Sequence, residues 1–240
     1  MQKLSKRQLE RYFCSTFLKE IGEAGQLKLL SSKVLVIGAG GLASSSLLYL
    51  STIGVGTIGI IDDDKVSLTN LPRQIIYDES DTNKNKVIAV KEVLEKKNPD
   101  VKVITYKERL TEKNAQNIIK NYDIVLDCVD NFDTKFVIND ACLALKIPFV
   151  SAGVSGFNGQ ILFVSKESKS DFKSLFSILP LNVSKEIRDK DRGVYPLAVG
   201  IVSNIQCSEA IKYLLGLGSS LIDEIMVVDT LNLRFEKYKI

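Results

Sequence analysis

Hydrophobic positions along the chain follow two periods. Short apolar runs at 34–37, 57–61 and 124–126, and an alternating run at 101–106, read as strands. Between them, 42–51, 87–96, 111–120 and 132–145 show helical spacing. In 87–96, for example, Val87, Val90, Val93 and Leu94 share one side. Short apolar strands alternating with helices predict an α/β fold with a mostly parallel sheet.

The ends of the chain depart from that rhythm. Residues 5–30 carry a rough apolar stripe of Leu9, Tyr12, Phe13, Phe17 and Ile21, interrupted by Gly22 and Gly25, and read as an N-terminal helical segment. After a strand at 148–151, Gly153, Gly156 and Gly159 read as a turn before a strand at 160–164. Residues 165–192 are dense in charge around a small apolar island at 175–181 that contains Pro180. They read as a crossover excursion from the domain. A helix at 195–215 stops at Gly216 and Gly218. Runs at 225–228 and 233–238 predict a final antiparallel pair. The expected whole, residues 1–240, is one domain of Rossmann-like βαβ units, its parallel sheet extended by antiparallel strands near the C-terminus.

The stretch 34–64, VLVIGAGGLASSSLLYLSTIGVGTIGIIDDD, concentrates the chemistry. Strand, glycine turn, helix, strand and acid follow in the order of a nucleotide-binding unit. Gly38 permits the tight turn and Gly40 lets backbone N–H groups approach a phosphate. Gly41 closes the glycine cluster before the helix, and Asp62 stands where a ribose hydroxyl acceptor is expected. This pattern does not choose between a dinucleotide and ATP.

Composition narrows the chemistry. The chain has no histidine, which removes imidazole triads, imidazole zinc sites and imidazole acid–base catalysis. Cys14, Cys128, Cys142 and Cys207 form no C-x-x-C pair. A net charge of +3 is too weak to imply nucleic acid. No apolar stretch approaches the roughly 20 residues of a membrane span. The charged start, MQKLSKRQLERYF, lacks a signal-peptide core, so the expected location is cytoplasmic.

Polar residues stand out at two further places. The irregular connection at 65–80 carries Asn70, Arg73 and Gln74, and Lys86 begins the next helix, where a cation opposes the dipole. The strand at 124–126 opens into Asp127, Cys128, Val129, Asp130 and Asn131 at the end where ligands sit in such sheets. Asp130 either holds Mg²⁺ or caps the following helix.

Taken together, the 34–64 stretch, NLPRQ, NKNKVIAVKEVLEKKNPD, DCVDNFDTKFVINDAC and SAGVSGFNGQILFV resemble the ThiF/MoeB/HesA family, relatives of the ubiquitin-activating enzymes. The resemblance implies ATP as the nucleotide. It also implies a small β-grasp sulfur-carrier partner, ending in Gly-Gly, whose C-terminal carboxylate is adenylated. It places Gly38, Gly40 and Gly41 at the phosphates and Asp62 at the ribose. Asp64, Asn70, Gln74 and Asn131 join the nucleotide site, Arg73 and Lys86 neutralise the polyphosphate, and Asp130 holds Mg²⁺. A homodimer is also implied.

Three departures accompany the resemblance. Cys14 stands where the family pattern R-Y-x-R-Q has its second arginine, although Arg11 and Tyr12 match. SDFKSLFS and the terminal RFEKYKI lack the cysteine pairs of zinc-holding relatives, so no zinc is expected. No cysteine lies between Cys142 and Cys207 for a covalent bond to the carrier. The competing readings are an NAD-dependent oxidoreductase, a regulatory relative without turnover, and an adenylating enzyme acting on a peptide or tRNA.

Overall fold

Eight strands build one sheet in a computed structural model that describes residues 3–176 and 193–240. They are β1 (Lys33–Ile37), β2 (Thr57–Ile61), β3 (Lys102–Tyr106), β4 (Ile124–Asp127), β5 (Phe149–Ser155), β6 (Asn158–Val164), β7 (Glu224–Asp229) and β8 (Arg234–Lys239). Their order across the sheet is β3-β2-β1-β4-β5-β6-β7-β8. The pairs from β3 to β5 are parallel and those from β5 to β8 antiparallel. This is the predicted α/β architecture with its antiparallel extension.

The continuous apolar strands are explained by burial on both faces. Val34, Leu35, Val36 and Ile37 are all enclosed, and burying each side chain stabilises the fold by roughly 1.5–3 kcal/mol. One face is covered by α3 (Gly22–Ser31), α4 (Gly41–Ile53), α5 (Lys86–Lys97) and α9 (Pro196–Leu215). The other carries α6 (Ala115–Ile119), α7 (Phe132–Leu145) and α8 (Phe172–Phe176). Gly54 ends α4 in the left-handed region, at φ 87°, and Gly216 does the same for α9 at φ 81°.

The chain runs outward from β1 to β2 and β3, then crosses back to lay β4 on the other side of β1. That reversal separates the loops after β1 and β4 and opens a crevice at the C-terminal ends of the strands, where α/β sheets bind ligands.

Several boundaries differ from expectation. The segment 5–30 is three short helices: α1 (Lys6–Arg11), α2 (Phe13–Thr16) and α3. Gly22 turns the chain at φ 59° to start α3, whereas Gly25 lies inside that helix. The helix expected at 111–120 shrinks to α6, because Asn114 Oδ1 accepts the Thr111 N–H and holds a turn there instead. Gly153 and Gly159 lie within β5 and β6, and only Gly156, at φ 56°, turns the hairpin. A Cβ on Gly159 would stand 2.2 Å from Val202 Cγ2 of α9, so this glycine serves helix–sheet contact. The excursion begins with α8, and residues 177–192, with Pro180, lie outside the described residues. No helix among the described residues is long and apolar enough to cross a membrane.

Candidate functional site

A cleft of about 830 Å³ occupies the crevice between the β1 and β4 ends. It is lined by Gly38, Gly40, Gly41, Asp62, Asp64, Arg73, Gln74, Lys86, Asp130 and Asn131 among others. Every residue expected at the site is therefore gathered there except Asn70. Asn70 stands behind the lining, and its Oδ1 accepts a bond from Arg73 Nη2 at 3.2 Å.

The glycine turn is held from three sides. Gly38 takes φ 89°, and a Cβ there would meet the Cys128 carbonyl oxygen at 3.0 Å. That close approach ties the β1 turn to the β4 turn. The Ala39 N–H donates to Asp62 Oδ2 at 2.7 Å, and Tyr77 Oη donates to the Ala39 carbonyl at 2.7 Å. Burial pushes the Tyr77 phenol far up, so it stays a neutral donor. Tyr77 lies in the irregular connection at 65–80, where nothing local marks it for this role.

The acids and cations around the turn have distinct environments. Asp62 accepts a second bond from the Asp64 N–H at 2.7 Å. Burial raises its pKa, and the nearby Lys86 ammonium pulls it partly back. Lys86, almost fully enclosed, reaches Asp64 Oδ2 at 2.9 Å. Its place at the first turn of α5 is offset by that carboxylate. The chemistry of the donors suits a polyphosphate: Arg73, Lys86, Arg109 and Lys135, a glycine-lined turn and the start of α4 all border one space. Gln74 is buried, and its Oε1 lacks a partner among the described residues.

Asp130 is exposed at the cleft and makes no hydrogen bond or ion pair among the described residues. The helix cap is its neighbour: Asn131 Oδ1 accepts the Thr134 N–H at 3.0 Å. The capping alternative for Asp130 therefore falls. A free carboxylate beside a phosphate-sized space suits a hard cation.

Two residues of the N-terminal segment lie away from the cleft. Arg11 Nη1 donates to the Lys97 carbonyl at the end of α5, and Cys14 is exposed on α2. Neither lines the cleft. Cys128, Cys142 and Cys207 are buried, which pushes the thiols up, Cys207 to about 12. A buried Lys135–Asp127 pair beneath the cleft also escaped the sequence reading.

Comparison with known proteins bears on the family and the fold. A probable molybdopterin-synthase adenylyltransferase of Gracilaria tenuistipitata var. liui is 37% identical over 238 residues, covering 99% of this chain and 66% of that protein. An adenylyltransferase and sulfurtransferase MOCS3 of Culex quinquefasciatus is 38% identical over 238 residues, covering 99% of this chain and 54% of that protein. The chain thus spans about half to two thirds of the length of the curated relatives it matches. Among solved structures, Escherichia coli MccB with succinimide superposes with a TM-score of 0.83 at 20% identity, over 95% of this chain and 70% of that one. PaaA superposes with a TM-score of 0.82 at 22% identity, over 100% of this chain and 76% of that one. At such identity these two speak for the fold. Residues 14–240 match the model of the ThiF family, and the chain belongs to that family.

Proposed function

We propose that this chain is an ATP-dependent adenylyltransferase. It activates the C-terminal carboxylate of a small sulfur-carrier protein ending in Gly-Gly, as an acyl-adenylate with release of pyrophosphate. The observation that carries the reading is the convergence of Gly38–Gly41, Asp62, Arg73, Lys86 and Asp130 on one cleft at the sheet's reversal point. The names of the adenylyltransferase relatives support the reaction class, and they favour the molybdopterin branch over thiamine. Residues 1–240 act as one adenylation unit.

The chemistry follows from charge. The carrier carboxylate is ionised at neutral pH and needs no general base. One of its oxygens bonds to the α-phosphorus as the bond to the β-phosphate bridge oxygen breaks. An anion attacks an anion, so Arg73 and Lys86 serve by neutralising the phosphates. N–H groups of the glycine turn orient them, and the Asp62 carboxylate accepts a ribose hydroxyl. Asp130 would hold Mg²⁺, which when bound draws charge onto the pyrophosphate leaving group. Asn70 aligns Arg73, and Gln74 and Asn131 add polar contacts.

The functional unit is a homodimer. Phe13 of α2 and Phe17 just after it support this: they are 59% and 74% exposed, with tilted rings whose centres lie 4.4 Å apart. Cys14, beside them, favours a second reading, a nucleotide-binding relative without turnover.

ATP–pyrophosphate exchange with a Gly-Gly-ended carrier tests both readings. Exchange that requires the carrier and is lost in Arg73→Ala and Asp130→Ala supports adenylation. ATP binding without exchange favours the second reading, and NAD binding without ATP binding overturns both.

A further inference from the structure

The floor of the cleft contains a charge pair that the proposed reaction does not use. Lys135 Nζ, on α7, lies 2.8 Å from Asp127 Oδ2 at the end of β4, and the two side chains are 7% and 1% exposed. Lys135 also donates to the Ala152 carbonyl at 2.8 Å and to Ser151 Oγ at 3.3 Å, both on β5. Ser151 Oγ donates to Asp127 Oδ2 at 2.6 Å. One ammonium thereby links a helix and two strands.

The other oxygen of Asp127 is bonded to the turn that follows β4. Its Oδ1 accepts the Val129 N–H at 3.2 Å, which shapes the turn that presents Asp130. From the opposite face, Gln206 Nε2 of α9 donates to the Asp127 carbonyl at 2.8 Å. Packing alone does not call for such a pair, since apolar replacements of buried ion pairs are often neutral or stabilising. The pair's distinct effect is to fix the rotation of one carboxylate, and with it the turn at 128–131.

We propose that Lys135 is a positioning residue for the nucleotide site. Through Asp127 it holds the Asp130 turn against Gly38–Gly41 across the crevice. The proposal rests on the functional reading above, in which Asp130 holds the metal of the bound nucleotide.

The test uses the full chain and a fluorescent ATP analogue, titrated in Mg²⁺ and in EDTA. Amide hydrogen exchange over residues 127–131, without nucleotide, is the second readout. Wild-type protein is expected to bind more tightly in Mg²⁺. Lys135→Met should lose about 10–100-fold of the Mg²⁺-dependent affinity, the range seen when the support of a metal ligand is removed. Its affinity in EDTA should stay unchanged, Val129 should exchange faster, and Lys135→Arg should restore both. Full Mg²⁺-dependent tightening in Lys135→Met with unchanged exchange overturns the proposal. If Lys135→Met does not fold, Ser151→Ala replaces it: a partial loss of tightening is expected, and no loss is fatal. Wild-type protein that binds no nucleotide sinks the functional reading instead, and exchange at Val129 then decides the positioning role alone.

Discussion

Lys86 and Asp64 form an ion pair at 2.9 Å in which the cation is 5% exposed and the anion 67%. The asymmetry decides how each should respond to mutation. Lys86 is held in the cleft wall, while Asp64 stands in solvent, where it would compete with a phosphate for the ammonium. Lys86→Met should slow exchange by about 100-fold or more, as expected when a preorganised charge contact is lost. Asp64→Asn should tighten ATP, measured by calorimetry at low salt. Weaker binding would instead make Asp64 a direct nucleotide ligand.

Asp62 should titrate above an ordinary aspartate, because burial dominates its shift. For a raised carboxyl, the contribution to stability is fully present below the unfolded-state pKa and is lost as pH rises through the folded one. Lys86 lowers the Asp62 pKa, so Lys86→Met should move it further up and extend that window to higher pH. Carboxyl NMR titration of both proteins reads the shift directly. A downward move in the variant contradicts the assignment.

Arg73→Lys should behave almost as badly as Arg73→Ala. The planar fork that receives alignment from Asn70 is lost with the guanidinium. Asn70→Ala, outside the cleft lining, should lower kcat more than it raises the KM for ATP. Equal effects on both would place Asn70 in direct contact with the nucleotide.

Tyr77→Phe should destabilise the protein by about 1–3 kcal/mol, since it leaves the Ala39 carbonyl without its buried donor. Denaturant unfolding gives the value, and nucleotide should recover part of it. A neutral result would mean that the glycine turn needs no such restraint.

The βαβ stretch was legible because its information is local. Apolar runs, Gly38 and Asp62 all lie within 34–64, and the polar cluster at Asn70–Gln74 and Lys86 stood out by residue type. The family resemblance then sorted ATP from dinucleotide. Lys135 was not legible: within FDTKFVIND it reads as a surface lysine, and its partners come from β4 and β5. Gly153 and Gly159 misled for a related reason. Both lie inside strands, and at Gly159 the missing side chain serves contact with Val202, which no local pattern records. The two alternatives left open for Asp130 could not be separated in the sequence, because Asp130 and Asn131 are equally good capping types.

The pairing of β1 with β4 also has a temporal meaning. Val34 meets Ile124 and Ile37 meets Asp127, so the crevice needs strands separated by the whole β2–β3 excursion. During synthesis β1, β2 and β3 emerge first and can associate, yet the cleft wall that carries Asp130 and Asn131 is absent until β4 inserts beside β1. Such non-local closure is slow. On the proposed function, a nucleotide that binds both cleft walls would favour the completed centre of the sheet over a chain still lacking β4.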